Sequence, residues 1–146
     1  MALELKGVSK VVEGKTHVYP TDLRLEKGTM NVLLGPTLSG KTTLMRLMAG
    51  LDVPATGRIF WDGKDVTGVR VQDRRVAMVY QQFINYPSMT VYENIASPMR
   101  LLGLDAKEID RRVRETAELM KLTPFLTRKP LELSGGQQQR CALARA

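Results

Sequence analysis

Gly35-Pro36-Thr37-Leu38-Ser39-Gly40-Lys41-Thr42-Thr43 follows a short apolar run, Val32-Leu33-Leu34, and precedes the helically spaced Leu44, Leu47, Met48 and Leu51. The stretch fits G-x-x-x-x-G-K-[ST] in the strand–loop–helix setting that the pattern requires. Its glycines let the backbone curl until successive N–H groups face one centre. Placed at the positive end of a helix, such a nest suits a polyphosphate. Lys41 is then expected to reach the terminal phosphates, and Thr42 to offer its hydroxyl to Mg²⁺. All nine residues, Gly35 through Thr43, are candidate nucleotide ligands, and the reading outward starts from them.

Upstream, Met30–Leu34 is a continuous apolar run of the kind buried on both faces of a sheet. Thr21–Glu26 alternates Leu23 and Leu25 with charged residues and predicts a half-exposed antiparallel strand. Leu3, Leu5 and Val8 form a partly alternating first strand, and Glu13-Gly14-Lys15 a turn. Downstream, the helix after the loop is expected over about residues 41–49. Gly50 suits the left-handed position past its end. Arg58-Ile59-Phe60-Trp61 predicts a strand closed by Asp62-Gly63-Lys64. That run imitates the apolar-run-plus-Asp that holds Mg²⁺ in phosphate-loop ATPases. An Asp-Gly pair after so short a run is better read as a hairpin end. Val76-Ala77-Met78-Val79-Tyr80 predicts a second buried strand, and two buried strands bracketing a helix suggest a parallel α/β sheet.

From about Pro87 the pattern turns helical. Thr90 and Glu93 have capping-box spacing for a helix from Val91. Pro98 is expected to bend or interrupt it. Residues 106–121 form an amphipathic helix with Ile109, Val113, Ala117 and Met120 as its apolar stripe. Its charges stand at i,i+4 spacing: Glu108–Arg112, Asp110–Arg114, Arg111–Glu115. The reading therefore divides the chain into residues 1–86, a β part with the phosphate-loop core, and residues 87–146, a helical subdomain.

The bulk numbers set limits. The chain has 146 residues, 43% of them hydrophobic, which is one domain or part of one. Its apolar runs reach only about five residues against the roughly 20 that a membrane span needs. The N-terminus lacks the apolar segment of a secretory signal. One cysteine, Cys141, excludes an internal disulfide and fits a reducing cytosol. The formal charge of +7 permits anionic partners. The basic residues are scattered, however, and a nucleic-acid partner is not expected.

The second informative stretch is Leu133-Ser134-Gly135-Gly136-Gln137-Gln138-Gln139-Arg140. Ser134 is an N-cap with Gln137 at the capping-box position. Two glycines leave the backbone bare at a helix N-terminus. Residue chemistry alone leaves two readings open, a well-capped helix start and an anion site.

This stretch resembles the signature motif of the ATP-binding cassette (ABC) ATPases, and it lies about a hundred residues after a phosphate loop, as in that family. The resemblance runs from Leu3 to Ala146. Met48-Ala49-Gly50-Leu51, Val79-Tyr80-Gln81 and Tyr86–Ile95 resemble the ATP-binding subunits of bacterial carbohydrate and glycerol-type importers. It implies a phosphate-loop (RecA-like) NTPase fold with an N-terminal antiparallel β part, ATP and Mg²⁺ as ligands, and a transport ATPase activity. Gln81 would contact the Mg²⁺ and the attacking water, making Gln81 and Lys41 the catalytic candidates and Thr42 and Gln81 the metal candidates. Ser134, Gly135, Gly136 and Gln137 would complete the ATP site of a second copy. Loop 82–90 would face a transmembrane permease subunit, with a solute-binding protein as an indirect partner. The location implied is the cytoplasmic side of the bacterial inner membrane, as a peripheral subunit. Two other readings are an ATP-binding piece without hydrolysis and a soluble family member acting on nucleic acid or the ribosome.

The chain departs from the family pattern in three places. Val12 stands where an aromatic usually stacks on adenine, with Tyr19 a possible substitute. Thr37-Leu38 replace small residues, often Ser-Gly, and a branched side chain resists positive φ. The family's Mg²⁺-binding Asp, catalytic Glu and switch His are expected after Ala146, so these residues are expected to be a piece of a longer chain. Of the remaining single residues, His17 is expected to be a surface or packing group, Cys141 a buried inert thiol, and Trp61 and Tyr80 packing rings.

Overall fold

The computed structural model describes residues 2–74, 76–82 and 84–146. They fall into two compact units, residues 1–76 and 77–146. The division comes ten residues before the expected one because segment 85–86 is tied to the helices. Asn85 Nδ2 donates to the Gln138 carbonyl at 2.9 Å, and Tyr86 N–H donates to Asn94 Oδ1 at 2.8 Å.

The first unit is built on an antiparallel sheet of order β2-β1-β3-β4. Its strands are β1 (Ala2–Val12), β2 (Lys15–Glu26), β3 (Thr56–Trp61) and β4 (Lys64–Asp65). Both hairpins turn where the sequence places them. Glu13 and Gly14 have φ of 50° and 75°, and Asp62 and Gly63 51° and 75°, the paired positive values that favour such dipeptides. Asp62 Oδ1 also accepts from Ala2 N–H at 2.9 Å, which fits its reading as a hairpin residue. A register shift between Leu5 and Val8 explains the imperfect alternation of β1. Gly7, at φ 58°, lies in that irregularity, and both Leu5 and Val8 stay buried. Helix α1 (Lys41–Ala49) covers the sheet through Leu44 and Leu47, in one core with Leu5, Val8, Val18 and Ile59. It ends at Gly50, φ 79°, with Gly50 N–H on Leu47 O and Leu51 N–H on Arg46 O.

The second unit holds α2 (Val91–Leu101), α3 (Ala106–Leu119) and α4 (Gly135–Arg145). Val91, Ile95, Ile109, Val113, Ala117, Leu122 and Cys141 are packed in its core. The capping box of Thr90 and Glu93 is complete. All three expected ion pairs of α3 are made: Glu108–Arg112, Asp110–Arg114 and Arg111–Glu115.

Two outcomes narrow or correct the expectations. Of the two alternatives at Pro98, bend or interruption, interruption does not occur: α2 runs through it. Proline cannot donate to the carbonyl of Asn94, but Ser97 Oγ donates to that oxygen at 2.8 Å and takes the place of the missing bond. The runs 30–34 and 76–80, expected as buried strands, have no strand pairing among the described residues. Met30 is 93% and Leu34 84% exposed. An apolar run becomes a buried strand only where neighbours supply ladder bonds and cover, and among the described residues the sheet consists of the four strands named above.

Candidate functional site

The phosphate loop lies in the first unit, where the apolar run gives way to α1. Gly40 is the N-cap of α1, with φ 86° and no side-chain cap bond. The first N–H groups of α1, from Lys41 on, have no intrahelical acceptors and so remain available to an anion. No side chain other than hydrogen fits at Gly40. A Cβ there would lie 2.5 Å from the His17 carbonyl oxygen and 3.5 Å from Val18 Cγ2. The start of α1 is thereby pressed directly against β2. His17, on an exposed part of β2, contributes that contact through its backbone.

Lys41 folds back over the loop. Its Nζ donates to Gly35 O at 2.8 Å, to Pro36 O at 2.5 Å and to Ser39 Oγ at 3.4 Å. A Cβ on Gly35 would meet Ser39 Oγ at 2.8 Å, so a side chain there would force the Ser39 hydroxyl to move. Pro36 O also accepts from Ser39 N–H at 3.3 Å. Thr37 and Leu38 form the crest. Leu38 has φ 66° and is 98% exposed. For a branched residue this conformation costs about 1–2 kcal/mol. Thr42 and Thr43 stand in the first turn of α1, Thr42 exposed and Thr43 half-buried. A closed loop, an ammonium held over it and an uncapped helix start suit a polyphosphate, and the Thr42 hydroxyl suits a hard cation bound with it.

Among the described residues no cluster of three or more His, Cys, Asp or Glu could hold a metal by itself. Gln81 is exposed and belongs to the second unit.

Ser134, Gly135, Gly136 and Gln137 also lie in the second unit, at the start of α4. Ser134 N–H donates to Gln137 Oε1 at 2.8 Å, and Gln137 N–H donates to Ser134 Oγ at 3.4 Å. This reciprocal box leaves the N–H groups of Gly135 and Gly136, both exposed, at the open helix end. A Cβ on Gly136 would find only Arg140 Nη1, at 3.8 Å, so the approach is clear. Behind this start, Cys141 is fully buried, and burial pushes its thiol up to about 11.

Two residues that sequence reasoning left without a role hold the surroundings in place. Asn94 is fully buried. Its Nδ2 donates to the carbonyls of Tyr86, Met89 and Thr90 at 3.1, 3.2 and 2.9 Å, while its Oδ1 accepts from Tyr86 N–H. It thus fixes segment 86–90 on α2. Arg74, nine-tenths buried, donates to the carbonyls of Val69, Met48 and Val66, and burial lowers its pKa. It lies over Gly50, where any Cβ would strike its guanidinium. An isolated Asn or Arg gives no sequence signal for such a role, because its partners are carbonyls that any residue can supply.

Residues 18–146 match the family model described as ABC transporter. The chain is 48% identical over 150 residues to the trehalose/maltose import ATP-binding protein MalK of Thermococcus litoralis, covering 99% of this chain and 40% of that protein. It is 43% identical over 145 residues to the sn-glycerol-3-phosphate import ATP-binding protein UgpC of Pectobacterium atrosepticum, covering 99% and 41%. It is 44% identical over 144 residues to the spermidine/putrescine import ATP-binding protein PotA of Escherichia coli strain K12, covering 99% and 38%. The chain thus spans about two fifths of the length of these relatives. Among solved structures, the dimeric structure of MJ0796, a bacterial ABC transporter cassette, superposes with a TM-score of 0.89 at 29% identity, over 98% of this chain and 68% of that one. The same cassette in a post-hydrolysis state bound to ADP and Pi gives 0.87 at 30% identity, with the same coverage.

Proposed function

This chain belongs to the ABC transporter family, and from that premise we propose that it is part of the ATP-binding and ATP-hydrolysing motor subunit of an importer. The observation that carries the proposal is the loop itself: Lys41 Nζ on the Gly35 and Pro36 carbonyls, at the foot of a helix whose N-cap is glycine. The relatives named above import a disaccharide, a glycerol phosphate and polyamines. A sugar, polyol or glycerol-type solute fits the carbohydrate-importer resemblance of Tyr86–Ile95. Solute selectivity would reside in other subunits.

In this account Lys41 exchanges its loop carbonyls for phosphate oxygens, and the loop N–H groups from Ser39 to Thr43 hold the remainder. The Thr42 hydroxyl and Gln81 would hold Mg²⁺, which supplies charge neutralisation on the phosphates when bound. Gln81 would also orient water. The N–H groups of Gly135 and Gly136, with the Ser134 hydroxyl and the Gln137 amide, would close on the γ-phosphate held by a second copy. Catalysis would consist mostly of positioning and charge stabilisation. The partners proposed are a second copy, permease subunits at loop 82–90, and a solute-binding protein indirectly. The place proposed is the cytoplasmic face of a bacterial inner membrane, peripherally bound. No helix among the described residues is long and apolar enough to cross a membrane.

The test is ATP-driven pairing of the protein, followed by light scattering. Wild type should pair in ATP. Ser134→Arg should bind ATP with wild-type affinity yet remain unpaired. Normal pairing of that variant would remove the clamp role.

A further inference from the structure

Between the last turn of α1, the β3–β4 hairpin and loop 66–69, the first unit has a cavity of about 240 Å³. We infer that this cavity is a binding site for a small carboxylate with an apolar body, whose oxygens are received by the guanidinium of Arg74.

Three observations carry it. First, the charge of Arg74 has no counter-ion among the described residues. Arg74 is nine-tenths buried and lines the cavity, and its partners are the Val69, Met48 and Val66 carbonyls, all neutral. Neighbouring Asp73 is paired instead with Arg70, at 3.1 Å. A buried charge without an opposite one costs free energy, and an anion in contact with it offsets part of that cost. Second, a guanidinium has five N–H groups, and the three carbonyl bonds leave one N–H on each terminal nitrogen. Two N–H groups on a planar fork match the two oxygens of a carboxylate. Third, the rest of the cavity is mostly apolar. Leu3, Met48, Trp61, Val66 and Val69 wall it, and Lys64 adds a second positive charge from an exposed position. Such walls favour a weakly hydrated organic acid over phosphate or sulfate, whose remaining oxygens would face aliphatic surface. The volume lies just below the usual range for ligand pockets, about 300–1,000 Å³, so the acid is small.

The cavity is separate from the phosphate loop. Met48, in the last turn of α1, stands about 10 Å along the helix axis from Lys41 in the first. Arg74 also ties loop 66–69 to α1, so a ligand on its free N–H groups would sit on an existing strut without replacing any of its bonds.

The test is titration of the protein with hexanoate, hexanamide and acetate, read by the fluorescence of Trp61, the one tryptophan of the chain and part of the cavity wall. Hexanoate should shift the emission saturably, with a dissociation constant of about 1 mM or better, the scale for so small a ligand. Hexanamide lacks the charge and acetate the apolar body, and each should bind at least about tenfold more weakly. Arg74→Met should abolish the preference for hexanoate over hexanamide. Because that variant also leaves three carbonyls unpaired, Val69→Phe provides the second arm: it fills the cavity and should abolish hexanoate binding with the fold intact by circular dichroism. Equal affinity for hexanoate and hexanamide would overturn the inference, as would wild-type hexanoate binding by Val69→Phe or the absence of any saturable change with hexanoate. Lys41→Ala should bind hexanoate like wild type, so the outcome here is read independently of the nucleotide site.

Discussion

Lys41 Nζ lies 2.8 Å from the carbonyl oxygen of Gly35, so the one charged residue of the phosphate loop is tied to the loop's first residue. The ammonium does not wait in solvent for its ligand. It is held by neutral carbonyls, and a phosphate must displace them. That exchange is favourable because a phosphate adds the attraction of an opposite charge, which a neutral carbonyl does not offer the ammonium. The loop therefore keeps its closed shape in the free protein and exchanges one set of oxygens for another.

Leu38 is the strained member of this loop. Its φ of 66° is one that leucine resists, and its side chain is almost wholly exposed. Leu38→Gly should stabilise the first unit by about 1 kcal/mol, because relief of the left-handed penalty outweighs the added freedom of the unfolded chain. Denaturant unfolding followed by Trp61 fluorescence measures this. A destabilised variant would mean that the leucine side chain contributes packing that its exposure does not reveal.

Asn94 makes four hydrogen bonds from a site with no solvent access. Asn94→Leu should destabilise the second unit by about 2–4 kcal/mol, since it removes the acceptor of the Tyr86 N–H and the donor to the Met89 carbonyl, while the Tyr86 and Thr90 carbonyls keep their backbone donors Met89 N–H and Asn94 N–H. Hydrogen exchange should accelerate first at Tyr86. Unchanged protection there would show that the segment is held by other means.

The legible parts of this fold were those set by neighbours in sequence. Glu13-Gly14 and Asp62-Gly63 turn as dipeptides. Thr90 with Glu93 and Ser134 with Gln137 cap as tetrapeptides. The ion pairs of α3 follow from a spacing of four. What escaped reading depends on partners distant in sequence or on a single unexpected bond. Runs 30–34 and 76–80 have strand composition, but composition does not supply ladder partners. Continuation of α2 through Pro98 rests on one hydroxyl, that of Ser97. In the candidate site the pattern Gly35–Thr43 could be read directly. The contact of Gly40 with His17, the return of Lys41 to the Gly35 and Pro36 carbonyls, and the positive φ of Leu38 needed coordinates. Those are matters of how the loop closes, and its letters leave that open.

Acid should loosen α3 at a definite place. The Arg111 and Arg112 guanidinium groups hold the Glu108 carboxyl down at about 2, below the usual glutamate value of 4.5. A folded-state value below the unfolded one means that this contribution is complete above about pH 4.5 and is lost as pH falls toward about 2. Wild type should therefore lose α3 helicity across that window, and Glu108→Gln should already lack the component at pH 7. NMR titration of Glu108 checks the sign. A midpoint at or above the ordinary glutamate value would contradict it.

The most direct test of the whole account is calorimetric titration of the protein with Mg-ATP, wild type against Lys41→Ala. Loss of the ammonium removes the charge-assisted contact and leaves the Gly35 and Pro36 carbonyls facing phosphate oxygens. The account predicts a fall in affinity of about a hundredfold or more, with the fold intact by circular dichroism. Equal affinity in the two proteins would contradict it, because the loop that organises the chain would then not be holding the nucleotide.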